Sequence, residues 1–555
     1  MKRRRDAREP DALYFLPLGG SGEIGMNLNL YLHAGKWLMV DLGITFGDDS
    51  TPGIDVLMPD PAYIVERKRD LVGLVLTHAH EDHLGAVPYL WSRLGCPVYA
   101  TPFTAAVLRR KLAEMEREGM VPIHEIPLDG KATIGPFEIE LVTLTHSIPE
   151  PNGVVIRTAA GTVFHTGDWK IDPDPLIGAT TDEAALRALG EGDTLALICD
   201  STNALVPGRS RSEGELRRSL AEVVGRCRHR VAIGCFSSNI ARLETIATVA
   251  EAHDRHAALV GRSLWRMYES ARDSGYLKNV EFLSEAEAAY LPREKVLLAC
   301  TGSQGEARSA LVRIAADDHP QITLESGDTV IFSSRVIPGN DKAIYRLQNR
   351  LVERGIEIIT DDDAFVHVSG HPCQDELTDM YQWVRPRIAV PVHGEMRHMR
   401  AHAALARQCQ VAETVIPRNG ALVRLAPGPP EIVEDVHAGR LALDGALLVP
   451  VENEAFRNRS RMLWNGSVVA TVVLGPDGRL AGRPQLSLRG LFEGEGQDDV
   501  LEDIAEAIRD AVDEMPARHR WDDDAVREAA RRAVRRAVTE AYGKKPPTDI
   551  HLVRL

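Results

Sequence analysis

The sequence predicts an α/β protein: a strand-rich α/β sandwich, interrupted by an inserted α/β domain and followed by a small α+β C-terminal domain. Three observations lead there. Strand-like runs crowd residues 13–200, the last four separated by short turns. From about Ser210 helices alternate with buried strands. Beyond a Pro- and Gly-rich stretch, two further strands precede two amphipathic helices. At 555 residues, the usual ~150 residues per domain gives about three to four domains.

In chain order, the runs at 14–18, 28–33, 37–41, 72–77, 137–143, 153–158, 162–165 and 195–200 read as strands. The short turns among the last four favour antiparallel pairing over a doubly wound sheet. Residues 213–227, 239–252, 262–273 and 341–353 carry helical periodicity and alternate with buried runs at 231–236, 296–300 and 329–333, a βαβ rhythm. From about Asp361 to Glu395 short strands and histidines return, so one catalytic domain is interrupted by an insertion. Pro427-Gly428-Pro429-Pro430 and neighbouring glycines mark a connection within residues 425–450. The expected boundaries are 1–208 and 361–430 for the catalytic domain and 209–360 for the insertion, with 431–458 as linker and 459–555 as C-terminal domain. In that last domain Leu501, Ile504, Ala505, Ile508 and Val512 keep one apolar face. Val526, Ala530, Ala533, Val534, Ala537 and Ala541 keep another. The second helix also carries Arg527, Arg531, Arg532, Arg535 and Arg536. It reads as a solvated face before it reads as an RNA-contacting stripe.

The net charge of −15 counts mildly against a general nucleic-acid binder, although a local cleft can still be electropositive. The seven cysteines are scattered and form no CxxC pair, which points to a reducing compartment and away from a cysteine-built metal site. No apolar run is long enough to span a membrane. The basic start Met1–Arg5 continues into polar and acidic residues, so no targeting peptide is read.

The chemistry concentrates in Thr77-His78-Ala79-His80-Glu81-Asp82-His83-Leu84-Gly85, which follows the buried run Leu71–Leu76. Three imidazoles and a carboxylate at the end of a strand suit zinc, or manganese where oxygen ligands dominate. Asp41, His146, Asp168 and Asp200 each close another strand-like run. Loops at one edge of a sandwich can bring all of these into one cleft. Isolated histidines such as His33, His253 and His319 read as turn or cap residues.

Asp41, His78-x-His80-x-Asp82-His83, His146 and Asp168, in that order, resemble the metallo-β-lactamase superfamily. Asp200, Phe365-Val366-His367-Val368-Ser369-Gly370-His371 and Pro391-Val392-His393-Gly394-Glu395 resemble the motifs of its β-CASP branch of nucleases. Gly19–Asn27, Thr301–Glu306, Val336–Asn340 and the tail His551–Leu555 are similar to ribonuclease J, along essentially the whole chain from Leu13. The resemblance implies an αββα sandwich with an inserted β-CASP domain. His78, His80 and His146 would hold one metal, Asp82, His83 and His393 the second, with Asp168 bridging and Asp41 orienting a ligand histidine. Two Zn²⁺ are implied, with Mn²⁺ or Mg²⁺ as alternatives. Asp82, Asp200 and His371 would be catalytic, and His367, Val368, Ser369, Gly370 and His371 would hold the RNA phosphate. Ser237, Ser238 and Asn239 fit either a 5′-phosphate pocket or an ordinary helix cap.

The implied activity is 5′-to-3′ exonucleolysis favouring 5′-monophosphorylated single-stranded RNA, plus endonucleolysis, in mRNA decay and rRNA maturation. A cytoplasmic location, no membrane, a homodimer or homotetramer through the C-terminal domain, and partners in an RNA-degradation complex belong to the same expectation. Other readings are a different β-CASP nuclease acting on RNA 3′ ends or on DNA, a small-molecule metallo-hydrolase, and a metal-free RNA-binding scaffold. Matched RNA and DNA digests, lactam or thioester turnover, and metal content separate them.

Overall fold

The structure, a computed structural model, describes residues 9–337, 339–491, 494 and 496–555. The basic start Met1–Arg5 and Pro338 of the Val336–Asn340 string lie outside them. The described residues form two units, one within 9–45 and 57–440, the other within 46–56 and 441–555.

In the first unit two sheets supply the sandwich. One orders its strands Glu431–Asp435, Ala421–Ala426, Leu13–Gly19, Leu28–His33, Lys36–Val40, Leu71–Val75, Val98–Ala100 and Ile123–Glu125. The other runs Glu413–Thr414, Ile388–Val392, Thr194–Asp200, Gly161–His165, Asn152–Thr158, Phe137–Thr143 and Lys131–Ile134. Alternation along each strand separates two cores. Phe15, Tyr31, Leu38 and Val40 meet Leu141, Val154, Ile156 and Ile198 between the sheets. Val142, Val155, Phe164 and Leu197 face the opposite way, against Leu186 of helix Glu183–Glu191 and Leu377, Met380 and Tyr381 of helix Gln374–Val384.

The expected antiparallel run holds from Phe137 to His165, but Gly161–His165 pairs parallel with Thr194–Asp200. The connection contains a helix and is long enough for a crossover, which a parallel pair requires. Helix Gln374–Val384 was also not anticipated, since the histidine-rich flanks read as strands. Its signals are a buried stripe at Leu377, Met380, Tyr381 and Val384 and a capping Glu376.

The insertion is an all-parallel sheet ordered His256–Val260, Val296–Cys300, Val231–Gly234, Thr329–Phe332 and Glu357–Ile359. Among the described residues, its attachments to the sandwich include the following two. Near the chain crossings, buried Glu376 accepts hydrogen bonds from Ile171 N, Ser210 N, Ser210 Oγ and Cys373 N at 2.6–2.9 Å. Elsewhere helix Pro102–Glu114 lies against helix Arg262–Asp273, with Arg110 bonded to Glu269 and Arg266 to Glu114, both at 2.8 Å.

The stretch expected as a linker, 431–458, is folded. It contains strand Glu431–Asp435, the hairpin of Arg440–Asp444 with Leu447–Pro450, and the start of helix Glu454–Asn465. The hairpin turns at Asp444-Gly445-Ala446, where Gly445 takes φ +61°; the glycine that suggested a linker is a turn residue. In the second unit Ser467–Leu474 lies between Gln485–Arg489 and the parallel tail strand Thr548–Arg554. Its alternating inner residues pack on helices Gln497–Asp513 and Asp523–Tyr542 through Ile504, Ile508, Val526, Ala530 and Val534. That residues 46–56 belong with this unit had no sequence signal.

Candidate metal centre

Lys36–Val40 runs parallel to Leu71–Val75, and Gly161–His165, Thr194–Asp200 and Ile388–Val392 run parallel to one another. Phe137–Thr143 shares the direction of the latter three through its antiparallel neighbour Asn152–Thr158. Asp41, His78 to His83, His146, Asp168, Asp200 and His393 follow or end these strands. Their carboxyl ends are where a sheet leaves side chains free for a site.

The structure brings them into three overlapping groups: His78, His80, His146 and Asp168; Asp82, His83, Asp168 and His393; and Asp168, Asp200, His371 and His393. In each group one donor atom per residue lies within 4.8 Å of the others. In the first, His78 Nε2 and His146 Nε2 stand 3.0 and 3.1 Å from His80 Nδ1. His146 Nδ1 donates to Gly370 O at 2.5 Å. The Thr77 hydroxyl gives its hydrogen to Asp41, and so accepts from His78 Nδ1 at 3.0 Å. The tautomers are thereby fixed, with Nε2 lone pairs of His78 and His146 turned inward. The lone pairs of His78 Nε2 and His146 Nε2 converge on His80 Nδ1. A tetrahedral ion with ~2.0–2.1 Å bonds needs its nitrogens about 3.3 Å apart.

Asp168 turns one oxygen to each side. Oδ2 lies 3.9 Å from His78 Nε2 and from His146 Nε2. Oδ1 lies 3.3 Å from His83 Nε2 and 3.0 Å from His393 Nδ1, yet is buried without a hydrogen bond of good geometry. Such an orphaned carboxylate oxygen is costly unless a cation meets it. Asp82 Oδ2 is 3.2 Å from His393 Nε2 and 3.6 Å from His83 Nε2. The donor set fits a pair of divalent cations.

Electrostatics agree. Burial pushes His78 and His146 well below the ordinary imidazole value and His80 down to about 4, so all three are neutral and ready to ligate. Burial acts the same way on His83 and His393, but Asp168, assisted by Asp82, outweighs it and holds both well above. Protons at these two positions neutralise carboxylates that a cation would neutralise instead.

Asp41 is fully buried at φ +63°. Its Oδ2 accepts from His83 Nδ1 at 2.7 Å and its Oδ1 from Thr77 N at 2.8 Å. Asp200 Oδ2 accepts from His371 Nδ1 at 2.7 Å, while Oδ1 is bonded by Thr202 N and Oγ1. The glycine-rich loop supports the same centre: Gly20 O accepts from His393 N at 2.6 Å, and Asn27 Nδ2 lies 3.1 Å from His83 Nε2. Thr77, Asn27, Thr202 and Asn203 were missed in the sequence. Their only signal is adjacency to the motifs, because hydrogen-bonding partners carry no spacing of their own.

In the 367–371 loop, Ser369 Oγ and His371 O accept from Asn203 Nδ2 at 2.8 and 3.1 Å. Val368 is buried. His367 Nδ1 is buried and unbonded. Burial and the neighbouring Arg242 push that imidazole down to about 3. Asn239 is a helix cap, the plainer of its two readings: its Oδ1 accepts from Arg242 N at 2.8 Å, and its Nδ2 faces Glu213 Oε1. Ser237 and Ser238 precede it, half-buried.

Comparison with known proteins follows the same divisions. The beta-lactamase superfamily domain matches residues 50–189 and the ribonuclease J beta-CASP domain 228–351. The Zn-dependent metallo-hydrolase RNA specificity domain matches 363–417, and the ribonuclease J C-terminal domain 454–554. The chain is 45% identical to ribonuclease J of Sinorhizobium meliloti, covering 100% of this chain and 99% of that protein. It is 38% identical to ribonuclease J of Mycolicibacterium smegmatis over 98% of both. It is 38% identical to that of Thermus thermophilus over 84% of this chain and 83% of the other. A solved structure of a protein of unknown function from Enterococcus faecalis covers 74% of this chain and 100% of its own, with a TM-score of 0.52 at 15% identity, a likeness of fold.

Proposed function

The chain belongs to the ribonuclease J family, and from that premise we propose that it is a two-zinc enzyme degrading single-stranded RNA from a 5′-monophosphorylated end, with internal cleavage as a second activity. The coarser statement, a metal-dependent ribonuclease and so a phosphodiester hydrolase, follows from the family. The observation that carries the finer reading is the pair of donor sets sharing Asp168, with Asp200 and His371 beside them.

His78, His80, His146 and Asp168 would hold one ion, and Asp82, His83, Asp168 and His393 the other. When bound, such a pair activates water at neutral pH and neutralises charge building on the phosphate. Asp41 keeps His83 in the tautomer that turns Nε2 inward. Asp82 steers the attacking water, since a carboxylate committed to a cation is a poor base. Asp200 binds His371 Nδ1–H, which leaves Nε2 for the substrate. From there His371 bonds a non-bridging phosphate oxygen or protonates the leaving oxygen. Asn203 fixes the Ser369–His371 backbone.

RNA would reach this centre between sandwich and insertion. By the same reading the enzyme acts in the cytoplasm in mRNA decay and rRNA maturation, as a homodimer or homotetramer and with RNA-degradation partners. Among the described residues no helix is long and apolar enough to cross a membrane. The deciding experiment digests 5′-monophosphate RNA, 5′-triphosphate RNA and matched DNA with the metal-loaded protein. Stepwise mononucleotide release, fastest from the monophosphate, is expected. Cleavage of DNA alone, or lactam or thioester turnover without nuclease activity, would overturn the proposal.

A further inference from the structure

We propose that Glu150 and Tyr276 are positioning residues, a hydrogen bond by which the insertion holds the loop of His146 in its reactive place. The inference rests on the proposed function only in assigning His146 to a metal. Glu150 lies four residues after His146, between Pro149 and Pro151, and is buried at φ +57°. A non-glycine residue persists there only when its partners hold it. Glu150 Oε2 accepts from Phe103 N at 2.8 Å, and its carbonyl from Asn152 Nδ2 at 2.5 Å. Its Oε1 accepts from the Tyr276 hydroxyl at 3.1 Å.

Tyr276 belongs to the insertion, just past helix Arg262–Asp273, and its ring meets Phe103 edge-on at 6.2 Å. One narrow cavity is lined by both His146 and Tyr276, with Ile148, Glu150 and Ile177. The exposed ion pairs beside it, Arg110 with Glu269 and Asp273 and Arg266 with Glu114, are each worth little. A buried carboxylate bonded to a phenol fixes direction as well as distance. Gly370 O holds His146 Nδ1 from one side, and the Glu150 bond holds the same loop from the other.

The test uses the metal-loaded full chain and the variants Tyr276→Phe, Glu150→Gln and the double. On 5′-monophosphate RNA, kcat should fall about tenfold with KM unchanged, the effect of a sub-ångström displacement at a reacting centre. Metal should pass to a chromophoric chelator several-fold faster, and the double variant should be no worse than either single. Unchanged kcat and chelator transfer in Tyr276→Phe would overturn the proposal. So would a rise in KM alone, or additive losses. Chelator transfer decides the matter even if the substrate assigned above is wrong, and Tyr276→Phe, a single-atom deletion, covers the case in which Glu150→Gln does not fold.

Discussion

His393 Nε2 lies 3.2 Å from Asp82 Oδ2 although 311 residues separate them in sequence. The insertion and the helix after it are thus folded into the interval between two donors of one site. Neither residue makes a metal set alone. Asp82 sits in the loop that supplies both sets, and His393 ends a strand of the opposite sheet at φ +50°.

Asp41→Asn tests the tautomer argument. Asparagine tolerates the left-handed backbone, so the fold should persist while His83 loses its charged partner. A 10–100-fold loss in metal affinity or activity is expected, read by chelator competition and RNA cleavage. Full affinity would show that His83 orients itself.

Gly370→Ala tests the contact between the 367–371 loop and the first donor set. An added Cβ would stand 2.5 Å from His146 Cε1 and 2.6 Å from Nδ1, too close for either to stay. Cleavage should drop by roughly 100-fold with a melting temperature near wild type. Near-normal kcat would mean that the loop yields instead.

Glu376→Ala tests what seats the insertion. The substitution strands the buried amide donor of Cys373 and the half-buried ones of Ile171 and Ser210. Loss of at least ~3 kcal/mol is expected, measured as a lowered denaturation midpoint. A shift near zero would place the anchor elsewhere.

Much of this was legible in the sequence, and the misses share a cause. Candidate donors announce themselves because metal chemistry demands particular side chains at strand ends, so His78 to His83, His146 and Asp168 stood out, while His393 came from the resemblance of its motif. Strands at 28–33, 137–143 and 296–300 were readable because burial on one or both faces leaves a pattern. Asn27, Thr77 and Thr202 were not, because a residue that orients a ligand needs only one polar atom at the right place. Asn239 looked nearly equally like a phosphate contact and a helix cap, and the position of Arg242 N, which its Oδ1 caps, has no sequence signal of its own. The 431–458 stretch misled because prolines and glycines mark hairpin turns and linkers alike.

His402 gives the pH prediction. It is fully buried, with Ser201 Oγ 2.9 Å from Nδ1 and Tyr381 Oη 2.8 Å from Nε2. Burial pushes it from 6.5 down to about 4. The unfolded chain therefore takes up a proton near pH 6.5 and the folded chain only near 4. The neutral, buried imidazole contributes fully above about pH 6.5, and its contribution fades as pH falls toward 4, by at most about 3 kcal/mol. Denaturation midpoints of wild type and His402→Gln should converge as pH drops through that window. Parallel curves would contradict the assignment.

The central claim, that two cation sites share Asp168 and that His393 completes the second, is tested most directly by metal content per chain in wild type and His393→Ala. The account predicts about two ions in the wild type and about one in the variant, with the protein folded and RNA cleavage lost. A variant that keeps the wild-type metal content and full cleavage would contradict it.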